Sequence, residues 1–479
     1  MKKLLLLPLL LSLLLFASCD SADETALPET ELTTESETVE ETQPAKPGIT
    51  IAGNDISNYS IIHDGTKVAA DLASDLKLLI HNTCGCRLNV KKHTAAESEF
   101  EILIGKTNRA ESIEVRNSYS RPNVYYDLKV VGNKLVIMGE GRATIEKLTP
   151  ELNAIIESGS NTAVELSDSQ ISGNILGNAD KYSMLERADG TDLRVFHWNF
   201  AAPYLDPNVT KPPVVYSDNV TRGEDMADMI LQFMPDIITT NEFYASHNGN
   251  TTFFDAVMNQ LGEYYVCLNS PYDKDKPEAG ADAIKGKTIN SNIIYRKDIG
   301  LEVVSSSWRY STQKTGTSEN NPMGYIYYHG SHTAVFSYKG SKFILSTAHY
   351  ADSLKNNQWA REQLAAISDA QSAFSSPLPV ILTGDLYTSY NQSSSESGYK
   401  YIASGGYKDA QRTADFIANK VNIHGTFHTI GERQTNRISE DFIWYTDGFK
   451  ALCFKVLANK VTDDASDHYP VMADLSFAQ

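Results

Sequence analysis

Positive charge is scarce in this chain. Its 479 residues carry 42 Lys and Arg against 60 Asp and Glu, a formal charge of −18 at pH 7, with a pI near 5.1. A sequence-independent grip on nucleic acid needs a basic stripe that displaces counterions from phosphates, and this balance argues against one. A small cleft neutralised by a metal ion stays open, because net charge speaks to steering and solubility rather than to a site. Cysteine is scarce too, at 5 residues. Cys84-Gly85-Cys86 has no second pair at zinc spacing, which argues against a structural zinc site. The pair is open to a vicinal-type disulfide outside the cytoplasm, or to two buried small apolar side chains. After the first residues no apolar run is long enough to cross a bilayer. No nucleophilic Ser elbow or zinc-protease helix is present, and Gly139-Glu140-Gly141 lacks a phosphate-loop context. What the chain does have is 41% apolar residues, enough for folded cores, and a length that suits two or three domains.

The one long apolar run is at the start. Lys2 and Lys3 precede Leu4 to Phe16, broken only by Pro8 and Ser12, and Ala17-Ser18 lead into Cys19. The run is too short for a permanent membrane helix, and small residues before a cut are what a signal peptidase requires. Leu15-Phe16-Ala17-Ser18-Cys19 resembles a bacterial lipobox, with Phe16 where Leu is more usual. The resemblance implies cleavage before Cys19, acylation of its thiol and anchoring to the outer face of a bacterial cell membrane. A plain secretory signal is the alternative. Residues 20–47 are rich in Thr, Glu and Pro, acidic and nearly free of aliphatics, and are expected to form a disordered tether.

A small mixed α/β domain is predicted over 48–160. Ile49–Ile51 reads as a strand, Thr66 to His81 has helical apolar spacing, and Phe100–Gly105 reads as a strand ending in a turn. Tyr126–Val131 and Lys134–Met138 flank Gly132-Asn133 as a hairpin, and a helix follows from about Arg142 to Ile156. The "EILIGKTNR" and "DLKVVGNKLVIMG" segments weakly resemble the non-catalytic domain that precedes the barrel in several glycoside hydrolases. A structural role and a glycan-contacting role both remain open. Residues 161–190, polar and rich in Gly, Ser and Asn, are expected to connect this domain to the next.

From 191 to 479 strands and helices alternate, and apolar strands repeatedly end in short polar residues. Leu193–Trp198 ends in Asn199. A helix begins near Arg222, and Asp236–Thr240 delivers Asn241 and Glu242. Asn292–Arg296 is a further strand. Lys342–Ala348 ends in His349, Val380–Thr383 delivers Gly384-Asp385, Asp441–Tyr445 opens on its acid, and Asp467-His468 precede the last strand. One such residue is usually a turn former or helix cap. Six such strand ends in one domain, all carrying acid, amide or imidazole, point to hard oxygen ligands for a cation and to proton transfer.

The series "VFHWN", "PDIITTNE", "NIIYR", "LSTAH", "TGDLY", "DFIWYT" and "SDHYPV" resembles, in order and spacing, the motifs of the endonuclease/exonuclease/phosphatase superfamily. The resemblance implies a four-layered α/β sandwich, two packed sheets with outer helices, whose site lies where strand ends converge. It also implies a divalent metal, Mg²⁺ or else Mn²⁺ or Ca²⁺, on Glu242, with Asn199 and Asp467 completing or orienting the shell. His468 would contact the scissile phosphate and Asp441 would orient its imidazole. His349 would contact the phosphate or assist the leaving group, and Asp385 would orient or deprotonate the attacking water.

One position departs from the pattern. The family has Gly-Asp-x-Asn, and this chain has Gly384-Asp385-Leu386-Tyr387. Tyr387 or Asn391 is left to supply the missing phosphate donor, or the site has fallen silent. The expected activity is hydrolysis of an extracellular phosphodiester or phosphomonoester, and a small phosphorylated substrate or lipid headgroup suits the charge better than long nucleic acid. The alternative is a catalytically silent surface lipoprotein that binds glycan or a partner. Specificity is expected in the loops at 201–221, 270–290, 309–330 and 388–405.

Overall fold

The computed structural model describes residues 48–119, 124–175, 186–201, 216, 218–243, 251–268, 291–314, 326–350, 357–388, 397–418, 425–427, 430 and 439–478. Cys19, the tether and Asn391 lie outside the described residues. No helix among the described residues is long and apolar enough to cross a membrane.

In the first module the helix Lys67–Cys84 starts where Thr66 caps Ala69 N–H and stops where Gly85 turns left-handed at φ 82°. Its apolar stripe (Val68, Leu72, Leu76, Ile80) and that of the helix Arg142–Ser158 (Ile145, Leu148, Leu152, Ile156) cover one sheet face. The sheet has six strands, ordered Asn89–Lys92, Ser60–His63, Glu101–Ile104, Lys134–Met138, Tyr125–Val131 and Ser172–Asn174. The first four run parallel, so their carboxyl ends and the following helix N-termini gather at one edge. The stretch expected to be a connector corrects one boundary. Val164–Leu166 pairs with Ile49–Ile51 and Ser172–Asn174 with Tyr125–Val131, so both belong to the first module. The reason is edge pairing: exposed strand edges take up a neighbouring polar segment through its backbone, which side-chain polarity does not register. Cys84 and Cys86 are free thiols.

The second domain is a four-layered α/β sandwich. One sheet runs Tyr265–Leu268, Asn292–Arg296, Ile237–Asn241, Leu193–Asn199, Val471–Phe477, Phe449–Val456, Phe416–Ile417. The other runs Glu302–Lys314, Ile326–Tyr338, Ser341–His349, Val380–Asp385, Asp441–Tyr445, Lys408–Asp409. Their inner faces meet through Val195, Ile237, Ile293, Leu345, Ile381, Ile443 and Ala473. The helices Asn219–Phe233 and Thr252–Leu261 cover the outer face of the first sheet. Gln358–Gln371 and Gly398–Ser404 cover that of the second. Strand period 2 explains the layering: Phe196 and Trp198 point to the helices while Val195 points to the other sheet.

The two folded parts meet along the helix Asn219–Phe233, which begins earlier than the expected Arg222 because Asp218 caps Thr221 N–H at 2.7 Å. Glu224 accepts Lys67 N–H at 3.0 Å, at the start of the helix Lys67–Cys84. Arg142 Nε lies 2.8 Å from each oxygen of Asp225. Asp228 packs so closely on Gly141 that a Cβ there would lie 1.8 Å from the carboxylate. Only glycine fits that approach.

Candidate functional site

Parallel pairing of Leu193–Asn199 with Ile237–Asn241 sets Asn199 beside Asn241 in register, and Glu242 follows. In the second sheet His349, Asp385 and Asp441 share one register row. The row needs Gly384: at φ +147°, a Cβ there would lie 2.0 Å from the carbonyl oxygen of Ala348. Asn241 ties the sheets together by accepting Asp385 N–H at 2.7 Å. The loop carrying Asp467 and His468 is held from both ends. Trp198 Nε1 donates to the His468 carbonyl at 2.7 Å, and Ser466 Oγ donates to the Asn199 carbonyl at 2.6 Å. Ala201, Glu242 and Tyr387, each just past a site strand, have left-handed φ of 47°, 52° and 43°. Such conformations in non-glycine residues cost of order 1–3 kcal/mol each and gather where the surroundings over-determine a geometry.

All eight residues expected in the site converge. Asp385 Oδ2 lies 2.9 Å from Asn199 Nδ2, 3.5 Å from His349 Nε2 and 3.7 Å from His468 Nε2. Asn199 Nδ2 also donates to Glu242 Oε1 at 3.2 Å, and His349 Nε2 is 3.9 Å from that same oxygen. His468 Nδ1 and Asp441 Oδ2 are 2.8 Å apart, and His468 Nε2 is 4.0 Å from Asp467 Oδ1. Tyr387 is 36% exposed and lays its ring along His349, with centroids 5.8 Å apart at 29°. Phe427 stands edge-on to His468 at 5.3 Å.

Burial, and then the charge of Asp467, pushes the Glu242 carboxyl up to about 7. Burial also pushes Asp385 well above the carboxylate range, against the pull of His468. For Asp441 burial is outweighed by the neighbouring His468 and His197 imidazoles, so its carboxyl is held well below its usual range. Burial opposes protonation of His468, yet Asp441 and Asp385 raise it well above an ordinary histidine. Tyr387 is pushed up by burial and by the charges of Asp385 and Glu242.

Asn199 Nδ2 bridges Glu242 Oε1 and Asp385 Oδ2, and the charge of Asp467 acts on Glu242, which gathers the donor chemistry of a hard divalent cation. Asn199 turns its amide oxygen to Ala201 N–H at 3.0 Å and its nitrogen to the acids, which suits orienting a shell rather than adding an oxygen to it. A tighter group, Asp385, Asp441 and His468, has ligand atoms within 4.8 Å of one another. Its Asp441–His468 hydrogen bond already uses two of those ligands, so it reads as a base with its orienter beside an acid.

Two groups were not anticipated. Glu440 adds a carboxyl raised by burial beside His468. His197, fully buried, places Nε2 3.3 Å from Asp441 Oδ1 and Nδ1 3.0 Å from Thr239 Oγ1. The strand period carries a signal for His197: two residues before Asn199, it shares that residue's inward face. Of the expected specificity loops, 309–314 and 326–330 belong to long strands, and Gly398–Ser404 is a helix. Residues 202–215, 269–290 and 389–396 lie outside the described residues.

No protein-family model matches the chain, and no curated protein matches it. Among solved structures it is similar to an endonuclease/exonuclease/phosphatase from Bacteroides vulgatus, at 20% identity and TM-score 0.44 over 60% of this chain and 99% of that one. It is similar to a mannosyl-6-phosphatase from Bacteroides thetaiotaomicron, at 19% and 0.43 over 60% and 100%. It is also similar to the human Nocturnin catalytic domain, at 17% and 0.40 over 61% and 97%. These likenesses concern the path of the chain alone.

Proposed function

We propose that this chain is a divalent-metal-dependent phosphoesterase, tethered through Cys19 to the outer face of a bacterial membrane and acting on a small extracellular phosphodiester or phosphomonoester. The observation that carries the reading is the crowding of Asn199, His349 and His468 nitrogens around one oxygen of Asp385, with His468 held from behind by Asp441 at 2.8 Å. Imidazoles beside a buried acid are suited to stabilising charge on a phosphoryl group while the acid handles water.

In this reading Glu242 and Asp467 hold the cation, and Asn199 keeps Glu242 and Asp385 in place. The cation, when bound, supplies charge neutralisation at the phosphoryl oxygens. Asp385 orients the attacking water and takes its proton. His468 donates from Nε2 to a non-bridging oxygen while Asp441 fixes the ring through Nδ1. His349 lies on the other side of Asp385, placed for the phosphate or the leaving group. Phospholipid headgroups, phosphosugars and inositol phosphates need only this local pocket. The net charge of −18 disfavours long nucleic acid.

The test is hydrolysis of bis-p-nitrophenyl phosphate and p-nitrophenyl phosphate by the chain from Asp20 onward, with Mg²⁺, with chelator, and as His468→Ala. Metal-dependent turnover that falls about 10³-fold in the variant is expected. Tyr387 at the Asn position favours one rival reading, a silent binding protein. Absence of turnover on both esters, with a divalent cation still bound, would select that rival.

A further inference from the structure

Asp441 has two carboxylate oxygens, and the phosphoesterase reading uses one. Oδ2 meets His468 Nδ1 at 2.8 Å. Oδ1 faces His197 Nε2 at 3.3 Å, and both side chains are fully buried. Neither of these two atoms has a well-aligned hydrogen-bond partner among the described residues, which leaves each to the other. The far side of the His197 ring is also engaged, with Nδ1 3.0 Å from Thr239 Oγ1. A neutral imidazole carries one N–H. If it were on Nδ1, the lone pair of Nε2 would point at a buried carboxylate oxygen with nothing between them. Placing it on Nε2 turns that repulsion into a charge-assisted hydrogen bond. The Thr239 hydroxyl then donates to Nδ1, which is closer than its other acceptor, the Phe196 carbonyl at 3.4 Å.

We propose that His197 is a positioning residue: the Nε2–H tautomer clamps Asp441 from the side opposite His468, so that the carboxylate cannot turn and the His468 ring keeps its aim. The proposal rests on the phosphoesterase reading for its effect on rate, while the tautomer is a property of the protein alone. The connection joins the sheets, because His197 and Thr239 come from Leu193–Asn199 and Ile237–Asn241 while Asp441 opens a strand of the other sheet. A carboxylate held at one oxygen is free to rotate about its last bond. Held at both, it transmits the position of one strand to the catalytic imidazole.

The experiment has two arms. In the first, ¹⁵N-histidine spectra of the chain from Asp20 onward are recorded, with the His197 signals assigned by their loss in His197→Gln. Protonation on Nε2 with Nδ1 bare is expected, and the reverse tautomer overturns the proposal whatever the activity. In the second, kcat and KM on the p-nitrophenyl esters are compared for His197→Leu, His197→Gln, Asp441→Asn and the His197→Leu/Asp441→Asn double variant. His197→Leu should lower kcat about 10- to 100-fold, the range for losing a hydrogen bond to a charged group, with KM nearly unchanged. His197→Gln, whose amide can still donate to Oδ1, should recover most of the rate. In the Asp441→Asn background the Leu substitution should cost nothing further, because residues acting through one unit are non-additive. An equal loss in both backgrounds would make His197 a general packing residue and overturn the proposal. If the wild type turns over neither ester, the phosphoesterase reading fails and the tautomer arm still decides the clamp.

Discussion

Replacing Asp228 by Asn tests how the two folded parts are held together. Asp228 is 4% exposed, its carboxylate lies against Gly141, and its Oδ1 has no hydrogen-bond partner among the described residues. Burial, and then the charges of Asp225 and Glu140, raises its carboxyl from 3.8 to about 8, with Lys106 and Arg142 pulling the other way. At about 1.4 kcal/mol per pH unit that interval corresponds to roughly 6 kcal/mol, and relaxation around a newly formed charge brings the expected effect to roughly 2–4 kcal/mol. The folded pKa is raised, so the folded state holds this proton more tightly than the unfolded chain. The stability it contributes is complete below about pH 4 and is lost as pH rises through about 8. Asn is the same size and does not titrate. Thermal unfolding of wild type and Asp228→Asn between pH 5 and 9 should therefore diverge, with the variant gaining about 3–8 °C relative to wild type toward the alkaline end. Glu224, raised to about 7 mainly by burial, titrates in the same window, so Glu224→Gln and the double variant separate the two. Parallel curves for wild type and Asp228→Asn across that range would refute the reasoning.

Glu242→Gln should weaken divalent-cation binding at least about tenfold by calorimetry, since it removes the one acid bonded to Asn199 that also faces Asp467; undiminished binding would move the cation elsewhere. Tyr387→Phe keeps the ring beside His349 and removes the hydroxyl, and should lower kcat on the order of 10²-fold. An unchanged kcat in that variant, with a raised KM in Tyr387→Ala, would make the ring a substrate wall instead. Metabolic labelling with a palmitate analogue in a bacterial host should mark the wild-type chain and leave Cys19→Ser unmarked, and labelling of both would remove the anchor from Cys19.

The sandwich could be anticipated because its signals are local. Strand period 2, the helix stripes and the polar residue closing each strand are all read within about ten residues. Asn199, Glu242, His349, Asp385 and Asp441 were legible for that reason, and the resemblance joined them to Asp467 and His468. What escaped is long-range. Val164–Leu166 and Ser172–Asn174 joined the first module through backbone pairing that their polar side chains do not announce. The fit of Asp228 onto Gly141 spans two domains and leaves no mark except a glycine that looks like a turn residue. His197 lies within "VFHWN", with no local mark that separates it from the core residues around it. A histidine inside an apolar strand reads as core until its partner on another sheet is placed.

That partner shows what sets the precision of this site. Asp385 and Asp441 belong to one sheet, and the nitrogens that meet them come largely from the other: Asn199 Nδ2 at 2.9 Å from Asp385, His197 Nε2 at 3.3 Å and His468 Nδ1 at 2.8 Å from Asp441. His468 is itself carried by the loop into Val471–Phe477, which Trp198 holds through a carbonyl at 2.7 Å. The distance between the sheets is fixed below by close-packed aliphatics such as Val195, Ile237, Leu345 and Ile381. Close-packed interiors hardly compress, so the spacing of that core is passed directly to the hydrogen bonds above it. A cavity in the aliphatic layer, far from any phosphate, should then loosen the Asp441 clamp before it unfolds the domain. Ile381→Ala is the substitution that separates these effects: we expect kcat to fall while KM and metal binding hold, and a proportional loss of all three would mean that the core supports the fold but does not set the site.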